Sequence, residues 1–443
     1  MTSRIANALA TTDALAEVFS DATVIQAMLD VEAALARVQS ALGLIPPGAG
    51  AVITKAATAD AFDAAELARA ARESGTIAVP LVAALTARVR TLDPATAGYV
   101  HWGATSQDVV DTAFVRLIDR ACAVVAADVE RLARGLRALS DRHAGDIMLG
   151  RTLLQPGPPI TFGLKAAGWY AGVRRGWVSV DAARREAVVL QFGGATGTLA
   201  ALGDKGLDVA DALARELGLR CPAAPWHAYG DRVAALVAAC AVFGGVLGKI
   251  ARDVTLLMQA EVSEAREPGG TSSTMPHKRN PAGCAVALAA AGRLPGLAAM
   301  ILSGIVQEHE RSVGAWHAEW PVVADALQAT GAAAAAMRDV ASELVVDPGR
   351  MRANLEATGG AVLAERIVMH LGRTIGRDAA QALVTDVVAR ARERGAPFGD
   401  VLGTTPDIAG MISADELRAL LDPAGYLGAA ETFRIRLLQS ASE

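Results

Sequence analysis

A chain of 443 residues that is 52 % hydrophobic and 20 % charged has enough apolar mass for two or three packed domains, and too much to stay disordered. Aromatic residues make up only 4 %, and Ala, Leu, Val and Arg dominate, which favours helices over sheets. A net charge of −5 with no basic run argues against a nucleic-acid partner.

In chain order, the opening stretch MTSRIANALATTDALAEVF has no basic segment followed by an apolar one, so no secretory signal is expected. Residues 1–107 read as shorter helices, broken at GLIPPGAG and TLDPATAGY. A long helix is predicted from Asp108 to Arg142, with Val125, Val129, Leu132, Leu136 and Leu139 on one seam. A second is predicted over Ile160–Leu190. A third starts at Asp231 and runs to Pro268, a length of roughly 50 Å, with Leu236, Cys240, Phe243, Leu247, Ile250, Val254 and Leu257 as its seam. A fourth follows Pro281, bends at Pro295 and reaches about Gly314. The stretch around Val286–Val306 has the length of a membrane span, but Arg293 and Pro295 near its middle point to a buried helix of a soluble protein. From about residue 348 the helices are short again, and Ser413 with Glu416 forms a capping box.

The expected fold is all-α, in three helical parts: residues 1–107, a long-helix bundle at 108–347 carrying a loop at 266–281, and 348–443. Seams this long bury little against one neighbour, so other subunits are expected to complete the bundle. Cys122, Cys221, Cys240 and Cys284 form no C-x-x-C pair and suggest buried free thiols in a reducing, cytoplasmic setting. No His, Cys or carboxylate cluster has metal spacing, so neither metal nor cofactor is expected.

Four polar segments interrupt this apolar background: HWGATSQDVVDTA (His101–Ala113), GRTLLQPGPPITFG (Gly150–Gly163), GGTSSTMPHKRNPAGC (Gly269–Cys284) and QEHERSVGAWHAEW (Gln307–Trp320). Singly, each has a plain reading; Thr105 to Asp108 is a helix N-cap pattern, and His227 and His370 read as packed or exposed histidines. FGGATGT (Phe192–Thr198) is glycine-rich but lacks the spacing of a nucleotide loop. Together, Thr105, Ser106, Thr152, Gln155, Asn280, Lys278 and Arg311 are the hydroxyls, amides and cations that bind small carboxylates. The helix starts at Asp108 and after Pro281 are expected to add favourable dipoles to such a site.

TSSTMPHKRNP resembles the signature of the fumarase/aspartase superfamily, G-S-S-x-M-P-x-K-x-N-P, and HWGATSQD and GRTLLQ resemble its two other shared regions. FSDATVIQAMLDVEAALARVQSALGLIP, QFGGATGTLAALGDKG, QEHERSVGAWHAEW and LLDPAGYLG are similar to the 3-carboxy-cis,cis-muconate cycloisomerases within it. The resemblance implies a homotetramer with active sites shared between subunits, acting on a small polycarboxylate, with no membrane or nucleic acid involved. It implies closure of a lactone ring in aromatic catabolism. In that chemistry Ser272 moves a proton at the carbon next to a carboxylate; His101 is left as an acid or orienting group, or as a structural hydrogen bond at the helix start. Thr105, Ser106, Thr152, Gln155, Ser273, Met275, Lys278, Asn280 and Arg311 bind the substrate. Another fumarate-releasing lyase, such as an adenylosuccinate lyase, is the alternative, and a catalytically dead helical scaffold is the reading from outside the enzymes.

Three positions depart from the pattern. Thr271 stands where the signature has Gly. Leu153 stands where adenylosuccinate lyases carry a general-acid His, and Pro156 where cycloisomerases often carry His. An amine leaving group needs that acid, worth roughly 10²–10⁴ in rate. A carboxylate, whose conjugate acid has a pKa of about 4, leaves or attacks without it. The departures therefore favour lactone chemistry over amine elimination.

Overall fold

The computed structural model describes residues 5–272 and 274–440, so Ser273 lies outside the described residues. The chain is helical almost throughout, with two small two-stranded sheets. It divides into two compact units, Met1–Glu130 with Gly176–Gly248 and Val286–Ala336, and Arg131–Arg175 with Lys249–Ala285 and Met337–Glu443.

Five long helices contribute to these units: Ser106–Arg142, Phe162–Ala187, Asp231–Leu257, Ala282–Ser303 and Ala315–Glu343. All seven residues of the Leu236–Leu257 seam are at most 5 % exposed, as are Val125, Val129, Leu132, Leu136 and Leu139. In the first unit the helices approach closely where a side chain is missing. A Cβ on Gly248 would lie 2.6 Å from that of Ala291, and one on Gly244 would clash with Leu294. The Asp21–Ala41 helix packs on Gly206–Leu217 through Leu35 and Val38 against Val209 and Leu213. In the second unit, helices Ala364–Ile375 and Arg377–Arg394 enclose a core of Ile367, Leu371, Val384, Val387 and Phe398.

Several expectations need correction. The helix from Asp231 stops at Leu257, not Pro268. Ser263 turns into a left-handed conformation at φ 55°, and wholly buried Glu264 is held by an ion pair with Arg151 at 2.6 Å. The helix predicted from Ile160 starts at Phe162, after a hairpin of Ile147–Thr152 and Gln155–Thr161 that the pattern did not show. Pro156, Pro158 and Pro159 hide the second strand, but a two-stranded sheet has only edges, where proline is tolerated. The helix after Pro281 ends at Ser303, short of Gly314, with Pro295 inside it. Cys221 is exposed, unlike the other three cysteines.

The stretch around Val286–Val306 also differs from expectation. Asp231–Leu257 and Ala282–Ser303 are both long and apolar enough to cross a membrane by length and composition, yet only 28 % of the second is covered within one chain. Met300 and Leu302 are about half exposed there. Of the capping box predicted at Ser413, the N-cap half is present, the Ser413 hydroxyl accepting from the Glu416 N–H at 3.3 Å.

Candidate active site

In the first unit the site is built around Asp108, which is 1 % exposed. Its Oδ2 accepts from the N–H of Thr105 at 3.0 Å, the reciprocal half of a capping box at the start of the Ser106–Arg142 helix. The same carboxylate accepts from the N–H groups of Gly193 and Gly194, both at 2.9 Å, and lies 2.7 Å from His227 Nε2. The glycine-rich segment therefore does cradle an anion, and that anion is the chain's own carboxylate. Gly193 is required because a Cβ would strike Pro225 and His227. His227 is packed, and its carbonyl accepts from Gln107 at 2.8 Å.

Thr105 and Arg311 meet directly. Arg311 Nη1 donates to Thr105 Oγ1 at 2.6 Å, and Nη2 donates to the carbonyls of Gly194 and Ala195 at 3.3 and 2.9 Å. With one Oγ1 lone pair taken by a cation, the Thr105 hydroxyl hydrogen is free to donate to a carboxylate oxygen. Ser106, half-buried, opens the helix beside it. His101 lies in the preceding turn at φ 59°, its Nδ1 2.6 Å from Glu32 Oε1.

A second acidic cluster in this unit went unnoticed in the sequence. Asp111 accepts from Trp316 Nε1 at 2.6 Å and from Gln191 Nε2 at 3.2 Å; burial pushes its carboxyl up to about 6. Burial, then the Asp111 charge, pushes Glu319 up to about 8, and Gln307 donates to it at 3.1 Å. Both acids line a narrow cavity with Phe114, Trp226 and Trp320.

In the second unit the signature loop is pinned at its base. Gly270 O accepts from the Asn280 N–H at 2.6 Å, and Thr271 pairs with Arg279 in an antiparallel bridge. The glycine requirement falls on Gly269 and Gly270, at φ 82° and 64°. Thr271 has no left-handed conformation to adopt and sits in an extended pair that suits a β-branched residue. Ser272 Oγ accepts from the N–H groups of Thr274 and Met275 at 3.4 and 3.1 Å. Met275 and Lys278 are exposed and Asn280 half-buried.

The helix after Pro281 does not offer a free N-terminus. Glu267, 3 % exposed, accepts from the N–H of Gly283 at 2.7 Å and of Cys284 at 3.1 Å. The expected dipole contributions to a substrate are therefore taken by resident carboxylates, Glu267 here and Asp108 at Thr105.

Thr152 and Gln155 pair across the hairpin end, both exposed. Between them Leu153 and Leu154 form a two-residue turn at φ 52° and 63°, exposed by 96 % and 72 %. Leucine is an unusual choice for such a turn, where Asn-Gly is typical. Among the described residues no hydrogen bond joins this hairpin end to the signature loop. No group of three or more His, Cys, Asp or Glu among the described residues is placed to hold a metal ion.

Comparison with known proteins places this architecture. The family model described as Lyase matches residues 7–296, and that described as Adenylosuccinate lyase C-terminus matches residues 360–437. A 3-carboxy-cis,cis-muconate cycloisomerase of Bradyrhizobium diazoefficiens is 47 % identical over 95 % of this chain and 94 % of its own. A nitrosuccinate lyase of Streptomyces davaonensis is 42 % identical over 93 % of this chain and 89 % of its own. The crystal structure of the 3-carboxy-cis,cis-muconate lactonizing enzyme of Pseudomonas putida superposes with a TM-score of 0.95 at 42 % identity, covering 99 % of each chain. With its long-helix fold and its Ser272–Asn280 loop, the chain belongs to the fumarase/aspartase superfamily of lyases.

Proposed function

We propose that the protein is a 3-carboxy-cis,cis-muconate cycloisomerase, an intramolecular lyase that forms 4-carboxymuconolactone in aromatic catabolism. The observation that carries it is likeness over 95 % of the chain, at 47 % identity, to a protein named for that reaction. One substrate carboxylate oxygen forms a C–O bond to a carbon of the double bond. The displaced electron pair moves to the carbon beside a second carboxylate, as an enolate-like species, and that carbon then takes a proton.

Ser272 delivers the proton, and the Thr274 and Met275 N–H groups at its Oγ offset the negative charge left behind. Lys278, Asn280, Thr105, Ser106, Thr152, Gln155, Ser273, Met275 and Arg311 hold the substrate, and His101 acts as an acid or orienting group. Glycines at 269 and 270 give the loop the freedom to close, which excludes water and strengthens each contact to the dianion.

The working form is a cytoplasmic homotetramer in which three subunits complete each active site. Exposed Val178, Val242, Met300 and Leu302 on the long helices support this, because a neighbouring subunit removes them from water. The functional parts are residues 1–107, 108–347 and 348–443.

The test is loss of diene absorbance with 3-carboxy-cis,cis-muconate, with nitrosuccinate and adenylosuccinate in parallel. Rapid loss with the muconate alone is expected. A flat muconate trace with turnover of nitrosuccinate would replace the proposal with the lyase reading.

Lys278→Met is expected to lower kcat/KM by about 10- to 100-fold, the value of a hydrogen bond to a charged group. The melting temperature should not move, because Lys278 is exposed. An unchanged kcat/KM removes Lys278 from carboxylate binding.

A further inference from the structure

The Asp21–Ala41 helix sends two polar side chains into an apolar interior, Glu32 at 1 % exposure and Gln39 at 0 %. A buried carboxylate without a partner is strongly unfavourable, so their placement needs a reason. Both reach the same short segment. Gln39 Nε2 donates to the Trp102 carbonyl at 2.7 Å, and Glu32 Oε1 lies 2.6 Å from His101 Nδ1. His101 is at φ 59°, a left-handed conformation that non-glycine residues adopt at a cost and keep only where surroundings enforce it.

The geometry leaves one ring nitrogen in use and one free. Nδ1 faces Glu32; Nε2 has no hydrogen-bond partner among the described residues, and the His101 side chain keeps 20 % of its surface open. Glu32 Oε2 is buried without a hydrogen-bond partner, so among the described residues the Glu32 carboxylate makes no other hydrogen bond. Two charged groups act on the ring, Glu32 and Asp108. Burial alone would lower the histidine below its ordinary value, but the Glu32 charge and hydrogen bond, with a smaller share from Asp108, raise it instead.

We propose that Glu32 is a positioning residue for the reaction: its carboxylate holds the His101 ring through Nδ1–H and favours the protonated ring, so that Nε2–H is presented to a substrate carboxylate. The substrate half of this rests on the cycloisomerase proposal; the state of His101 does not. A cationic His101 donates to a carboxylate through a charge-assisted bond, and loses that ability once its proton leaves. The alkaline limb of the kcat/KM profile therefore reports His101, and Glu32 sets where that limb falls.

The experiment uses the whole enzyme and three variants. Histidine C2-hydrogen exchange read by mass spectrometry gives the titration midpoint of His101, and kcat/KM on the muconate is followed against pH. Glu32→Gln keeps the shape and removes the charge. It should lower the His101 midpoint by about one pH unit or more, and move the alkaline limb by the same amount. Glu32→Asp should recover part of both shifts. Gln39→Met removes the other tether of the segment without changing charge; it should lower the melting temperature and move neither pH value.

An unmoved midpoint in folded Glu32→Gln overturns the proposal. So does a midpoint that moves while the limb stays, or a Gln39→Met variant that moves both as far. If Glu32→Gln does not fold, Glu32→Asp decides, since a lengthened pair must still shift the midpoint downward and no shift overturns the idea. Wild-type enzyme with a raised His101 midpoint and no muconate turnover would defeat the cycloisomerase assignment while upholding the coupling of Glu32 to His101.

Discussion

Replacing Ser272 by alanine is expected to lower turnover by about 10²-fold or more, the range associated with a positioned proton-transfer group. The fold should be untouched. Among the described residues Ser272 Oγ accepts from two N–H groups of its own loop and from none in the core, and water replaces it there. Those two N–H groups also explain why a hydroxyl is usable at all. A serine is a weak acid in water, and donors aimed at Oγ stabilise the oxyanion that remains when the proton is given up. Steady-state kinetics with size-exclusion chromatography checks both halves. Near-normal turnover in a variant of unchanged assembly state removes Ser272 from the mechanism.

The largest effect on stability should come from Asp108→Ala, at about 3–5 kcal/mol, because several groups lose their shared acceptor together at about 1–3 kcal/mol each. The change strands the part-buried N–H of Thr105 and the buried N–H groups of Gly193 and Gly194, and leaves buried His227 without its carboxylate. Asp108→Asn keeps the shape but turns an amide N–H toward a site that already holds four donors, so it should recover little. Activity should fall as well, because the carbonyls of Gly194 and Ala195 that hold Arg311 belong to the same clasp. Denaturant unfolding measures the first effect. A loss below about 1 kcal/mol, the value of one ordinary hydrogen bond, would mean that water satisfies the stranded groups.

Much of the helical framework was legible because periodicity reports which side of a helix is buried. The Leu236–Leu257 seam and the Ser413 N-cap depend only on residues a few positions apart. The signature loop was legible for a different reason: an uncommon run of Ser, Met, Pro, Lys and Asn shared with a family. What escaped were pairings between distant single residues. Nothing near Gly193 announces that its N–H will meet a carboxylate 85 positions earlier. Its glycine-rich composition was read only as lacking the spacing of a nucleotide loop, and a role in holding one of the chain's own carboxylates was not expected. Glu32 escaped because its residue type argues for solvent, although its spacing from Met28, Leu29 and Leu35 puts it on the buried face of the helix. The hairpin at Ile147–Thr161 escaped because its prolines argue against a strand unless both strands are known to be edges.

The Asp108 clasp also sets an order of events during synthesis. Its last partner, His227, lies 119 residues after it. A chain leaving the ribosome from its N-terminus presents Asp108 with only the Thr105 N–H until the glycine pair emerges, and without the imidazole until about half the protein has been made. The start of the Ser106–Arg142 helix can form early from its own cap, yet the carboxylate stays hydrated until that later segment arrives and displaces the water. Closure of the clasp is thus a long-range, late contact, of the kind that slows folding more than it limits the final stability.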